Sequence, residues 1–299
     1  MQVEKIDTFS GHRGAVYTLE KGEEKEIFFS GGADGMLVQW NLGKPDVGKG
    51  IAQMGGAIFD LKYVSQTKEM WISVHQKGIY VINLNSFSTV FFFPQTDHST
   101  YAMELVGECI WVSNSIGEVL VFDIFDKKIK SKIQVGHKSI RKIIQWNNKF
   151  IFFGSSDGHI RILNNQFQLI FDEKCHEKTC FSLAIDKNGE FLVSIGKDAQ
   201  VKKWKVESGQ LTLLEELVGH IYGIHDVTLN ANSSLFATAS MDKTVKIWDL
   251  NEFKLVKVID SMRHGGHKNA VNKLYWSDYQ DFLVSASDDK NISVWNLNS

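Results

Sequence analysis

The chain has 299 residues, with 33 Lys and Arg against 35 Asp and Glu and a formal charge of -2. At 43% hydrophobic and only 2 Pro it has the apolar mass of a packed globular protein, which excludes a disordered chain. Near-neutral charge without a dense basic tract makes nucleic acid a poor partner. Apolar runs such as Val90 to Phe93 fall far short of the roughly 20 residues that span a bilayer, so no membrane partner is expected. Glu4, Lys5 and Asp7 break up the apolar segment that a secretory signal needs. Cys109, Cys175 and Cys180 are an odd set, read as reduced thiols of a cytoplasmic protein.

In chain order, an extended segment VEKIDTF (residues 3–9) comes first, then Gly11-His12 and the strands AVYTL, EIFFS and MLVQW, which end at Trp40. Asp34 stands in a turn six residues before that Trp. The same spacing returns as Asp157 to Leu163, Asp198 to Trp204, Asp242 to Trp248 and Asp289 to Trp295. Two weaker copies, QKGIYVI ending at Ile82 and IGEVLVF ending at Phe122, have lost the Asp. The seven anchors Trp40, Ile82, Phe122, Leu163, Trp204, Trp248 and Trp295 lie 40 to 47 residues apart and use up the chain, so residues 1–299 are expected to form one repeat domain. The later units read as strands too (FLVSI, QVKKW, LFATA, TVKIW, NISVW), and helix should be sparse. His12, His176, His220 and His267 each precede the unit's Trp by 28 residues; His137 and His98 stand at shorter offsets before Leu163 and Phe122.

With its Gly-His pairs and strand-ending Trp248-Asp249, Trp40-Asn41 and Trp295-Asn296, the chain resembles the WD-repeat family over essentially its whole length. The resemblance implies an all-β, seven-bladed β-propeller of four-stranded antiparallel blades. It also implies a buried hydrogen-bonded network in each well-kept blade: His220, Ser240, Asp242 and Trp248 in the sixth, and His267, Ser287, Asp289 and Trp295 in the seventh. Gly32 and Gly196 occupy the Ser position of the first and fifth units, Leu163 replaces Trp in the fourth beside His137, Ser155 and Asp157, and the second and third are the most degenerate. The chain ends three strands into the seventh unit, so residues 3–9 are expected to supply that blade's outermost strand and close the ring.

Several motifs suggest chemistry and have simpler readings. GSSDG at 154–158 fits a nucleophile elbow, but Ser156 leads into a strand where an elbow needs a helix. Cys175, His176 and Cys180, or His264 and His267, do not make four zinc ligands at a structural spacing, so no metal is expected. DKNGE at 186–190 reads as an Asn-Gly hairpin turn and not a calcium loop. Asp288 and Asp289 are adjacent turn residues, unlike a glycosidase pair facing across a cleft. Alternation in FFF at 91–93 turns Phe92 outward, towards packing on the third blade or a contact patch. No nucleotide fingerprint is present, and no cofactor is expected.

The expected function is therefore a non-catalytic scaffold that docks protein or peptide partners; a propeller hydrolase or lyase working at the mouth of the central channel is the alternative. Repeat register places two loops per blade on one rim: the segment after the marker His and the turn before the Asp. Together they offer Arg13, His75, Lys178, Lys197, Tyr222, Met241, Lys268 and Asp288. Tyr222 and Met241, flanked by Lys197 and Lys268, suit an acidic peptide with an apolar anchor.

Overall fold

The computed structural model describes residues 1–44 and 48–298. Its 28 strands form seven four-stranded antiparallel sheets, the blades of a β-propeller. Blade 1 runs outward through Val16–Lys21, Ile27–Gly32, Met36–Asn41 and Lys49–Gln53. The innermost strands of blades 2 to 7 are Ile58–Val64, Thr100–Val106, Ile140–Trp146, Cys180–Ile185, Ile224–Leu229 and Val271–Trp276. Among the described residues helix is limited to one turn, Ser261–His264.

Each blade is covered on both faces, and its sequence shows why. In the second strand of blade 6, Leu235–Ser240, side chains alternate between faces. Phe236 joins a core shared with Val193, Ile195 and Val201 of blade 5, whereas Ala237 and Ala239 join one shared with Val271, Leu274 and Trp295 of blade 7. A strand buried on both sides must be apolar or small at every position, and LFATAS is. Seven such cores, one per blade interface, replace a single central one. All seven anchor residues are buried in them, each contributing about 1.5–3 kcal/mol. Outer strands such as Lys254–Ile259 are exposed at half of their positions and carry Lys254 and Lys257.

The ring closes as the sequence predicts. Gln2–Phe9 pairs antiparallel with Ile292–Asn298, from Val3 opposite Leu297 to Phe9 opposite Ile292. Blade 7 thereby takes its outermost strand from the other end of the chain, and Phe9 is buried between blades 7 and 1. The seam is held by a ladder and an apolar plug, which leaves no open edge there.

Every innermost strand also breaks register at the same place, between its first and third or fourth residues. A bulge sets two residues of one strand against one of its neighbour and re-aims a side chain. Seven equivalent bulges place Tyr17, Phe59, Tyr101, Arg141, Phe181, His225 and Asn272 in the wall of the central channel.

Candidate functional site

Four blades hold the loop after the marker His against the turn before the Trp strand by a chain of side-chain hydrogen bonds. In blade 6 the Trp248 Nε1–H donates to the Thr238 hydroxyl (2.9 Å), which lies 2.8 Å from His220 Nε2. His220 Nδ1 then lies 2.8 Å from an Asp242 oxygen that also accepts the Ile221 backbone N–H. Blade 1 repeats this with His12, Ser30, Asp34 and Trp40, blade 5 with His176, Ser194, Asp198 and Trp204, and blade 7 with His267, Ser285, Asp289 and Trp295. Trp only donates and Asp only accepts, so a neutral imidazole fits with Nδ1–H towards Asp and Nε2 accepting from the hydroxyl. Burial lowers the His220 pKa and favours that neutral ring. Asp242 is held well below the usual carboxylate range: burial opposes this, but His220 and Thr244 more than offset it.

The structure corrects the hydroxyl of these networks. Thr238 and Ser285 occupy the place expected for Ser240 and Ser287, two residues downstream. Ser240 sits at the strand end, where its hydroxyl donates to the Tyr222 and Gly223 carbonyls and accepts the Asp242 N–H. Ser287 does the same with the Asn269 carbonyl and the Asp289 N–H. Period 2 puts both hydroxyls of SxS on one face, and only the upstream one reaches the Trp. Blades 1 and 5 are therefore complete despite Gly32 and Gly196. At Gly32 a Cβ would meet the Ala15 carbonyl at 2.1 Å, so the loop closes directly on backbone there.

Blade 4 solves the same problem differently. His137 is exposed, and Arg161 reaches over Gly136 into the vacated space. Its guanidinium donates to Ser155 (3.0 Å) and Asp157 (2.9 Å), while Nε lies 3.0 Å from Asp172 without hydrogen-bond alignment. In blade 3, His98 is half-buried and enters no such chain. The suspected metal ligands are accounted for locally. Cys175 and Cys180 are buried between blades 4 and 5, and burial pushes the Cys175 thiol up to about 12. Ser156 and Asp157 lie in a turn that enters the strand His159–Asn164. Phe92 is exposed and packs on Tyr80 (4.3 Å), whereas Phe91 and Phe93 fill the core between blades 2 and 3.

On the rim, Arg13, Lys178, Lys197, Tyr222, Met241 and Lys268 are exposed, with Tyr222 at 62% and Met241 at 46%. The loop that carries Tyr222 runs beside Met241 and the Lys197 backbone: the Met241 N–H donates to the Gly223 carbonyl, and a side chain at Gly223 would touch the Lys197 backbone and Met241 Sδ at 3.3 and 3.5 Å. Ile221, 82% exposed, extends this apolar point. His75 and Asp288 turn inward instead. The His75 ring lies 4.5 Å from Phe59, and Asp288 accepts from Asn272 (2.7 Å).

The seven bulge residues meet at the mouth of the channel, a cavity of about 670 Å³. Phe59 lies between Tyr17 (6.0 Å) and Tyr101 (5.8 Å), Phe181 meets the His225 ring edge to face (5.5 Å), and Arg141 lies over Tyr101 (4.2 Å). Below them are four acids and three further cations. Asp60 accepts from Thr18 (3.2 Å) and the Met103 N–H (2.7 Å), linking blades 1, 2 and 3. Asp226 links blades 5, 6 and 7 through Ser182 (2.7 Å) and the Leu274 N–H (3.0 Å), with Lys273 at 3.5 Å. Lys62 lies between Glu104 (3.0 Å) and Glu20 (4.0 Å); burial opposes its charge, but these carboxylates raise its pKa.

The sequence profile of the family described as WD domain, G-beta repeat matches residues 3–41, 167–205, 211–249 and 256–296, more than half of the chain. This chain belongs to the WD-repeat family. The four matched stretches contain the Asp and Trp of the four blades with the complete polar chain. Among known proteins the WD-repeat chain is 23% identical to a striatin homolog of Dictyostelium discoideum over 82% of its length, and 24% identical to human striatin-4 over 83%. It spans only about a third of either relative. It is also 25% identical over 40% of its length to a subunit of chromatin assembly factor 1 from Mus musculus, of which it covers 24%. No helix among the described residues is long and apolar enough to cross a membrane. Sequence reading missed the ring at the channel mouth in this WD-repeat chain. Its signal was the residue after the apolar marker that opens each unit, where Tyr17, Phe59, Phe181 and His225 follow Val16, Ile58, Cys180 and Ile224.

Proposed function

We propose that this WD-repeat propeller, a single domain over residues 1–299, is a docking scaffold and not an enzyme. Its partner would be a protein or peptide, with no role for nucleic acid or membrane, bound on the face that carries the post-His loops and pre-Asp turns. The observation that carries this reading is the exposed apolar point of Ile221, Tyr222 and Met241 beside Lys197. Aromatic and Met side chains supply contact area at little entropic cost, and flanking charge steers an acidic partner. The relative named as a subunit of chromatin assembly factor 1 gives the reading an analogy in an assembly. The enzymatic alternative draws on the channel mouth, where Asp60, Asp226, Glu20 and Glu104 are already engaged with neighbouring blades or Lys62. That engagement favours docking. Three free thiols, two of them buried, fit a reducing cytoplasmic setting.

The test is affinity capture with quantified partner binding, comparing the wild-type chain with the double variant Tyr222→Ala, Met241→Ala. Loss of the anchor should weaken the principal partner by about 2 kcal/mol or more, roughly 30-fold, with the melting temperature unchanged. Undiminished affinity in the folded double variant would move docking off this rim.

A further inference from the structure

Blade 4 departs from the channel pattern set by the blades two places away on either side. Blades 2 and 6 carry Phe59-Asp60 and His225-Asp226 at the bulge, and each Asp ties three consecutive blades together. At the same register blade 4 carries Arg141-Lys142. Both side chains line the channel and both are half-buried. The guanidinium lies 4.2 Å from the Tyr101 ring and 5.7 Å from that of Phe181. Among the described residues no carboxylate lies within ion-pair distance of either cation, although four carboxylates share the channel. Asp226 and the Glu20–Glu104 pair hold Lys273 and Lys62, and Asp60 is taken up by Thr18 and the Met103 backbone.

We infer that the channel mouth is a binding site for a carboxylate carried on an apolar body, with Arg141 and Lys142 holding the anion and Phe59, Tyr101 and Phe181 walling the rest. Two half-buried cations from adjacent residues are costly to keep unpaired, and an entering anion removes that cost with charge-assisted hydrogen bonds. The guanidinium already lies over the Tyr101 ring, and its planar fork suits a planar carboxylate. A monoanion fits better than a phosphate dianion because Asp60, Asp226, Glu20 and Glu104 line the same cavity and repel a second negative charge. At about 670 Å³ the space accepts an aryl-sized group. The source of the carboxylate is either a small free acid or the C-terminus of a chain entering from the rim.

Calorimetric titration with 3-phenylpropanoate, its neutral amide and inorganic phosphate tests the site. The acid should bind, and the amide and phosphate should bind at least about tenfold more weakly. Arg141→Gln and Lys142→Met should each lower affinity for the acid about tenfold or more. Neither variant breaks an ion pair; Lys142→Met gives up a longer-range attraction to Asp226 and Arg141→Gln its stacking on Tyr101, so each is compared with the wild type where its melting curve stays cooperative, and either one alone suffices as the test. A short peptide ending in Phe, with a free or an amidated C-terminus, separates the sources. Preference for the free peptide over 3-phenylpropanoate identifies a chain end, and preference for the free acid identifies a small ligand. Equal binding of acid and amide, stronger binding of phosphate, or acid affinity unchanged in both variants would overturn the inference. The Tyr222→Ala, Met241→Ala variant should bind 3-phenylpropanoate like the wild type, so the rim and the channel fail or stand separately.

Discussion

Blades 1, 5, 6 and 7 fasten their loops with a Trp–hydroxyl–His–Asp chain, whereas blades 2, 3 and 4 do without it. The interface between blades 2 and 3 instead collects Trp71, Phe91, Phe93 and Phe122, with ring centroids 5.3 to 6.3 Å apart. Trp71 is fully buried, yet its Nε1–H has no partner among the described residues, unlike the Trp of the other four blades. An unpaired buried donor costs about 1–3 kcal/mol, so apolar contact must outweigh it here. The difference teaches that closure of the ring rests on the interblade cores. The polar chains set the loops on one rim of the ring.

The largest effect should come from the seam between two polar-chain blades. Deleting residues 1–9 removes a whole strand and Phe9, worth at least the 3–5 kcal/mol of a buried Phe, so the melting temperature should fall by roughly 5 °C or more. A fall of only about 2 °C would mean that the ring closes without this strand. Next, Phe122→Ala in blade 3 should cost about 3–5 kcal/mol in urea unfolding, more than any single polar-chain change. A smaller cost than that of Asp242→Ala would reverse the ranking of core over polar chain.

Within blade 6, Thr238→Val keeps shape but strands the Trp248 N–H, and about 1–3 kcal/mol should be lost. Ser240→Ala removes a hydroxyl from loop carbonyls and should cost about 0.5–1.5 kcal/mol. Equal costs, or the reverse order, would restore Ser240 as the network hydroxyl.

The smallest effect near neutrality is that of pH. Burial keeps the folded His220 pKa below its ordinary 6.5, so the unfolded chain takes that proton first. Its contribution is complete above about pH 6.5 and declines as pH falls. Asp289 is depressed from 3.8 to about 2 because His267 and the Lys268 and Asn291 backbone N–H groups outweigh burial. Its contribution is complete above about pH 4 and is lost between about pH 4 and 2. Melting curves should therefore slope gently below pH 6.5 and steeply below 4, and Asp289→Asn should flatten the lower limb. A limb unchanged in that variant would remove the turn carboxylate as its cause.

What the amino-acid sequence determined by itself is the part that repeats. A spacing of 40 to 47 residues, a Trp or other large apolar anchor and strand-length apolar runs specify seven blades, because each blade meets the same environment on both faces. The closing strand was legible in residues 3–9 for the same reason. Local spacing could not choose between Thr238 and Ser240, or between Ser285 and Ser287, since period 2 gives both hydroxyls one face and only depth in the interface separates them. It also could not show Arg161 replacing His137, because a long side chain enters from another strand to fill that space. His75 and Asp288 looked like rim residues until the ring turned them towards Phe59 and Asn272. The channel mouth belongs wholly to tertiary structure. Its seven residues are scattered from Tyr17 to Asn272, and only seven matched bulges around a closed ring bring Arg141 and Lys142 into a common space with the rings that flank Arg141.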